Sequence, residues 1–192
     1  ATSRLSPHLA FGEVSPATVV TAAVAAADRV TGHAAAHSAG AAPSPPTGGA
    51  GAFIRQLAWR EFAAHVLHHF PHTVSQPLRP EFAEFPWTGD PDLLKTWRAG
   101  RTGYPLVDAG MRELAATGWM HNRVRLVCGS FLTKDLLVPW TDGLAHFTDT
   151  LFDHDVASDV FNWQWVAGSG ADAAPYFRVF NPVIQGRRFD PD

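Results

Sequence analysis

Proline at the start and glycine at the end of apolar, periodic stretches recur along this sequence in the order that α-helices require. Ser15-Pro16 opens "ATVVTAAVAAADRV", which runs to about Gly32. Phe53, Leu57, Phe62, Val66 and Phe70 stand at helical intervals in "AFIRQLAWREFAAHVLHHF", and Pro71 stops that run. Asp90-Pro91 caps a short helix closing at Gly100, and Pro105 opens another that reaches Gly118. "MHNRVRLVCGSFLTKDLL" reads as one long, largely apolar helix before Pro139. Thr141 begins a further helix, and residues 155–167 form the next. Neither βαβ alternation nor a series of hairpins is visible. The expected fold class is all-α, an irregularly packed helical bundle.

A chain of 192 residues can bury a sizeable core as one medium domain, and residues 1–192 are read as that domain. Residues 31–52, rich in Ala, Pro and Gly, read as a flexible low-complexity surface loop within it. The net charge of −3 does not announce a nucleic-acid binder, although a local basic patch suffices for phosphate contacts. A single cysteine, Cys128, excludes a disulfide framework and suggests a reducing, cytoplasmic compartment. No apolar run approaches the roughly 20 residues that span a bilayer, and no signal-peptide pattern is present. The sequence begins inside "TSRLSPHLAFGEVSP" and ends in "RRFDPD", which reads as an excerpt of a longer protein.

The segment "DHDVASDVFNWQWVAGS" (residues 153–169) packs three carboxylates against two indoles. On a helix, Asp155, Asp159 and Trp163 stack along one face, while Trp165 points roughly 200° away from Trp163. Asp153 and Asp155 suit either an N-terminal cap or a ligand contact. Asp159, one turn into an apolar helix, caps poorly and needs a buried partner or a ligand. In "WMHNRVRLV", Asn122 and Arg125 share one face, and Arg125 is suited to a bidentate salt bridge with an acid such as Asp153. Arg123 points elsewhere and is left to reach a phosphate; Val124, Leu126 and Val127 are expected to enclose both arginines. His65, His68, His69 and His72 have a spacing that suits a polar helix face better than a metal site, and no metal is expected. "GSGADA" imitates a dinucleotide-binding glycine pattern but follows a helix, and Cys128 reads as core.

Together "TSRLSPHLAFGEVSP", "QLAWREF", "GRTGYPLVDAGMRELAATGWMHNRVR", "KDLL" and "NWQWVAGSGADAAPYFRVFNP" resemble the flavin-binding helical domain of the photolyase/cryptochrome family. The likeness runs from residue 2 to about 190, broken only by the loop at 31–52, and is greatest to microbial cyclobutane pyrimidine dimer photolyases. It implies a non-covalent FAD held in a U shape. It also implies that the family's N-terminal α/β domain, which carries a folate- or deazaflavin-type antenna chromophore, and its last helices lie outside this sequence. By the resemblance, Thr2, Ser3, Arg4, Leu5 and Ser6 fall on the phosphate-side segment. Asn122, Arg125, Asp153, His154 and Asp155 belong to the set around the isoalloxazine and adenine, with Arg125 and Asp153 as a salt bridge. Trp163, Trp140 and Trp87 match, in outward order, the chain that carries electrons from the surface to the flavin. Trp59 and Trp165 match the aromatic walls of a lesion pocket, and Gln56, Asn122, Arg123, Leu126 and Gln185 match its DNA- or lesion-contacting positions.

The implied reaction is light-driven electron transfer from reduced FAD to a pyrimidine dimer in UV-damaged DNA. The two bonds joining the pyrimidines break and the electron returns, with no net redox change. The implied protein is a monomer and not membrane-bound. Three positions depart from the family pattern. Asp159 occupies the flavin-N5 position, usually Asn in photolyases and Asp in plant cryptochromes, where an acid can protonate the flavin. Gln56 replaces a Glu, and Leu126 replaces a Met of similar volume. Retention of Trp59, a ring that plant cryptochromes lose, favours repair over a photoreceptor role.

Overall fold

The computed structural model describes residues 2–31, 48–173 and 179–189. The described residues form helices α1 (Ser6–Ala10), α2 (Pro16–Thr31), α3 (Gly48–His69), α4 (Pro91–Arg98), α5 (Pro105–Thr117), α6 (Asn122–Ser130), α7 (Trp140–Thr150), α8 (Val156–Ala167) and α9 (Pro182–Phe189), and no strand. Short 3₁₀ turns at Pro71–Val74 and Pro80–Phe82 and a π turn at Phe131–Asp135 connect them. α8 is the central element, packed on α3, α6 and α7; α5 bridges α4, α6 and α9.

Local chemistry sets most of the boundaries. The Asp90 carboxylate accepts from the N–H groups of Asp92 (2.9 Å) and Leu93 (3.4 Å), with Pro91 in the first turn of α4. Gly118 and Gly168 end α5 and α8 in the left-handed region, at φ 70° and 98°. The glycines of "GSGADA" thus begin with a helix stop, as their place after a helix implies. The low-complexity segment is shorter at both ends than its composition suggests. Thr31 still belongs to α2 and Gly48–Ala52 to α3, while residues 32–47 lie outside the described set.

The long helix expected across residues 120–137 is interrupted. α6 starts at Asn122, capped by the His121 ring, whose Nδ1 accepts from the Arg123 N–H at 3.1 Å. It then widens into the π turn, where Leu136 N–H bonds the Phe131 carbonyl at 3.0 Å. The Thr133 hydroxyl donates to the Gly129 carbonyl at 2.8 Å, and such back-bonding competes with the regular helical ladder.

The core joins α4 to α8 through Trp97, Met111, Leu114, Met120 and Leu132, each at most 1 % exposed. Burying side chains of this size is worth about 1.5–3 kcal/mol each. The Trp97 indole N–H donates to the Cys128 carbonyl at 3.0 Å, so the largest buried ring leaves no orphan donor. Cys128 is core, as its surroundings imply; burial, with the Asp108 charge, pushes its thiol far up. His65, His68 and His69 lie on the exposed last turns of α3. Among the described residues no group of His, Cys, Asp or Glu is placed to hold a metal ion, and no helix is long and apolar enough to cross a membrane.

Asp108 ties the turn before α5 to that helix. Its carboxylate accepts from the Thr102 N–H (2.7 Å), the Thr102 hydroxyl (2.6 Å) and the Gly103 N–H (3.0 Å). Burial pushes this carboxyl up, but those bonds and the nearby Arg112 outweigh it and hold its pKa below the ordinary value. A depressed carboxylate stabilises the fold above its unfolded pKa, about 3.9, and that contribution is lost as pH falls through the lower folded value. Asp108→Asn is therefore expected to lower the melting temperature at neutral pH. The gap to the parent should close as the pH falls below about 4. A gap of constant size down to full acid unfolding would contradict this.

Candidate functional site

Two adjoining cavities open along α8. The first, about 270 Å³, is walled by α1, α3, α6, α7 and α8 and the segment before α8. The second, about 350 Å³, lies beside it along α8. They share Gln56, Arg60, Asn122, Leu126, Ser158 and Asn162. Trp163 and Trp165, two residues apart on α8, therefore face different cavities, as the helical spacing requires.

The first cavity gathers Asp153, Asp155 and Asp159, with Arg125 and Asn122 opposite. Arg125 binds Asp153 as expected from its chemistry, but through one nitrogen: Nη2 reaches both carboxylate oxygens, at 3.0 and 2.8 Å. Its Nε donates instead to the Met120 carbonyl at 2.8 Å. The fork is thus split between a carboxylate and the chain entering α6. Of the two readings of Asp155, the structure shows the cap. Its side chain caps α8, accepting from the Ser158 N–H at 2.9 Å, and it also lines the cavity. Asp153 caps nothing among the described residues; its side chain is 1 % exposed and given over to Arg125.

Asp159 has a partner, as its position demands, although that partner is only part-buried. His154 Nδ1 lies 2.6 Å from its Oδ2, and the Asp155 N–H reaches the same oxygen at 3.3 Å. Burial pushes the Asp159 carboxyl above its ordinary value, against the opposite pull of His154, Arg125 and that N–H. Trp163 is only 4 % exposed and forms one end of the cavity. Its ring fits because residue 143 is a glycine: a Cβ there would lie 2.2 Å from the indole Cη2. Trp163 and Trp140 are buried in the same apolar cluster, and Trp87 packs half-buried at its margin.

The second cavity brings Trp59 and Trp165 together with Gln56, Asn122 and Leu126. Trp59 is 42 % exposed and rests on Phe62 and Phe161, with centroids at 5.8 and 6.0 Å. Trp165 lies 6.2 Å from Phe180. Arg123 and Gln185 line neither cavity. Arg123 is exposed, not enclosed by its apolar neighbours, and its guanidinium sits 5.9 Å over Phe180 and 5.4 Å over Phe189. Gln185, on α9, has a buried Oε1 without a hydrogen-bond partner among the described residues.

Of the hydroxyl-rich opening, only Ser6 reaches the first cavity. Thr2, Ser3 and Arg4 are exposed and Leu5 half-buried. Arg4, at φ 55°, turns away so that its guanidinium lies 5.1 Å over Trp119. Arg60 lines both cavities and was not legible as a site residue. It donates to Asp155 Oδ2 at 3.3 Å and to the Leu9 carbonyl at 3.4 Å, tying α3 to α8 and α1. The available signal was its place four residues after Gln56, on the same helix face. Asn162, three residues beyond Asp159, follows from the same rule and lines both cavities.

Among the described helices, a cleft lined by acids and an arginine and closed by an indole is a concave site of the kind that takes a small molecule or cofactor. Residues 53–192 match the FAD binding domain of DNA photolyase, and the chain belongs to that family. It is 49% identical to the deoxyribodipyrimidine photo-lyase of Halobacterium salinarum over 191 residues, covering 100% of this chain and 37% of that protein. The crystal structure of a bacterial class III photolyase from Agrobacterium tumefaciens superposes with a TM-score of 0.84 at 48% identity, over 100% of this chain and 37% of that one. A cryptochrome from Synechocystis superposes at 0.81 with 35% identity, over 99% and 36%. The chain thus spans little more than a third of the length of these relatives.

Proposed function

We propose that this chain is part of the FAD-binding catalytic domain of a photolyase that repairs cyclobutane pyrimidine dimers in UV-damaged DNA. The observation that carries the reading is the pair of cavities sharing one wall. One is lined by charged groups and closed by Trp163, and the other is walled by two indoles of α3 and α8.

The first cavity fits FAD by its donor set. Arg125 and Asn122 supply donors to a polar ring edge, Asp155 and Ser158 supply acceptors and hydroxyls, and Leu9, Phe147 and Val166 offer apolar surface to flat rings. FAD, when bound, supplies the light-driven electron. Trp163, Trp140 and Trp87 form an outward series of oxidisable rings that replenish it. Trp59 and Trp165 stack a flipped pyrimidine pair, and Gln56 and Asn122 hydrogen-bond it. Arg123 and Gln185 stand outside the cavities, where Arg123 meets the DNA phosphates and gives salt-dependent affinity. Asp159 brings a carboxyl, its pKa raised by burial, to the wall of the cofactor cavity. A folate- or deazaflavin-type antenna chromophore belongs to a separate domain, and the protein works as a cytoplasmic monomer.

Asp159 favours a second reading, a cryptochrome-like photoreceptor that binds FAD without repair. Blue-light repair of a thymine-dimer oligonucleotide by the full-length protein with chemically reduced FAD separates the two. Turnover that requires light is the expected result. FAD that binds and photoreduces without turnover would transfer the protein to the photoreceptor class.

Replacing Trp163 by Phe is expected to slow light-driven reduction of oxidised FAD while leaving repair by pre-reduced protein largely intact. Equal losses in the two assays would contradict the assigned division of labour between Trp163 and Trp165.

A further inference from the structure

Asp159 faces the first cavity, whereas His154 does not line it. The histidine stands behind the carboxylate, in the turn before α8, with its side chain 23 % exposed against 13 % for Asp159. It is the only ring within hydrogen-bond reach of Asp159 among the described residues, Nδ1 to Oδ2 at 2.6 Å. The arrangement is a two-member relay with one end in solvent and the other at the cavity wall. Imidazole suits such a place because it exchanges protons near neutral pH and has two nitrogens.

We propose that His154 is a positioning and proton-supplying residue for Asp159, holding its carboxyl at the cavity wall and passing it protons taken from water. The step is balanced without any redox change. The Nδ1–H bond of the imidazolium breaks and an Oδ2–H bond forms, leaving neutral imidazole protonated at Nε2 and a carboxylic acid. Water then returns a proton to the ring. The sequence places Asp at 159, where an amide could accept no proton, and a titratable ring five residues earlier; the fold brings the two into contact. The other charged groups facing the pair are Arg125 on α6, Arg60 on α3, and Asp153 and Asp155 beside it. Arg125 is engaged by Asp153 and Arg60 by Asp155, and neither arginine donates to Asp159. α1 and α7 line this cavity with Ser6, Leu9, Ala10 and Phe147, none of which carries a charge.

The inference rests on the flavin-pocket reading for its use, but its test does not. The infrared C=O stretch of protonated Asp159, assigned by its loss in Asp159→Asn, is followed against pH in the full-length protein without and with FAD. Removing the ring takes away a donor and a cation, so in His154→Ala the Asp159 midpoint should rise by about 1–3 pH units. Exchange of its proton for deuterium from solvent should slow, and added free imidazole should restore that rate. His154→Gln keeps an amide donor but cannot carry a proton, so it should hold the fold and still show slow exchange. Unchanged midpoint and exchange rate in both variants would overturn the proposal. So would exchange in His154→Gln as fast as in the parent. Failure of the flavin reading would be seen separately, as absent FAD uptake, while the flavin-free titration would still report on the relay.

Discussion

Arg125→Met is expected to destabilise the protein by about 3–5 kcal/mol, the range for removing one partner of a buried ion pair. The asymmetry of exposure sets the size. The Asp153 side chain is 1 % exposed and that of Arg125 19 %, so the substitution strands a carboxylate that water reaches poorly. It also frees the Met120 carbonyl, which Arg125 Nε holds at the entrance to α6. Methionine preserves most of the apolar stem, which separates the loss of charge from the loss of packing. The double variant Arg125→Met, Asp153→Leu should recover most of the deficit, because an apolar pair carries no desolvation penalty. Glu61→Ala supplies the contrast: in its pair with Arg60 the Glu61 side chain is 60 % exposed, and its loss should cost no more than about 1 kcal/mol. Equilibrium denaturation of the three variants and the parent gives all four numbers. A cost for Arg125→Met no larger than that for Glu61→Ala would show that the pair is not the structural tie its geometry describes.

The features legible in the sequence were those whose cause is local. Asp90 before Pro91, Gly118 after an apolar run and Gly168 after "WVA" each stop or start a helix through atoms within a turn of themselves, and the structure places the boundaries there. The opposite orientations of Trp163 and Trp165 follow from helix geometry alone. The features that escaped are set by partners far along the chain or by competing local bonds. Arg60 reaches Asp155, 95 residues away, and nothing near it in sequence advertises that acid. Arg123 is exposed, and its guanidinium lies over Phe180 and Phe189 from beyond α8, not among its own apolar neighbours. The π turn at Phe131–Asp135 lies in a stretch whose apolar pattern reads as continuous helix, so nothing local announces it. The Asp155 cap was legible because its partner, Ser158, is three residues on, whereas the Arg60 that meets its other oxygen comes from a distant helix.

Gln164→Leu should cost about 3 kcal/mol, although leucine nearly matches the amide in volume, because each buried polar group left unpaired costs about 1–3 kcal/mol. Gln164 is 2 % exposed and stands between Trp163 and Trp165 on α8. Its Oε1 accepts from the Leu78 N–H at 2.8 Å, and its Nε2 donates to the carbonyls of Thr73 (2.7 Å) and Gln76 (3.0 Å). These three bonds anchor the segment between α3 and α4 to the helix that carries both indoles. Thr73 is buried, so its carbonyl has no water to turn to; Gln76 is exposed and recovers part of its loss. Gln164→Glu should be at least as damaging at neutral pH, since a carboxylate there faces two carbonyl oxygens. Its deficit should shrink on acidification, when the acid regains one donor. Hydrogen exchange at the Leu78 amide reports the break directly and should accelerate in both variants. Retained protection at Leu78 with parental stability would mean that the segment is held by other contacts. The expected loss, by contrast, would loosen the walls of both cavities at once, because the same turn of α8 presents Trp163 to one and Trp165 to the other.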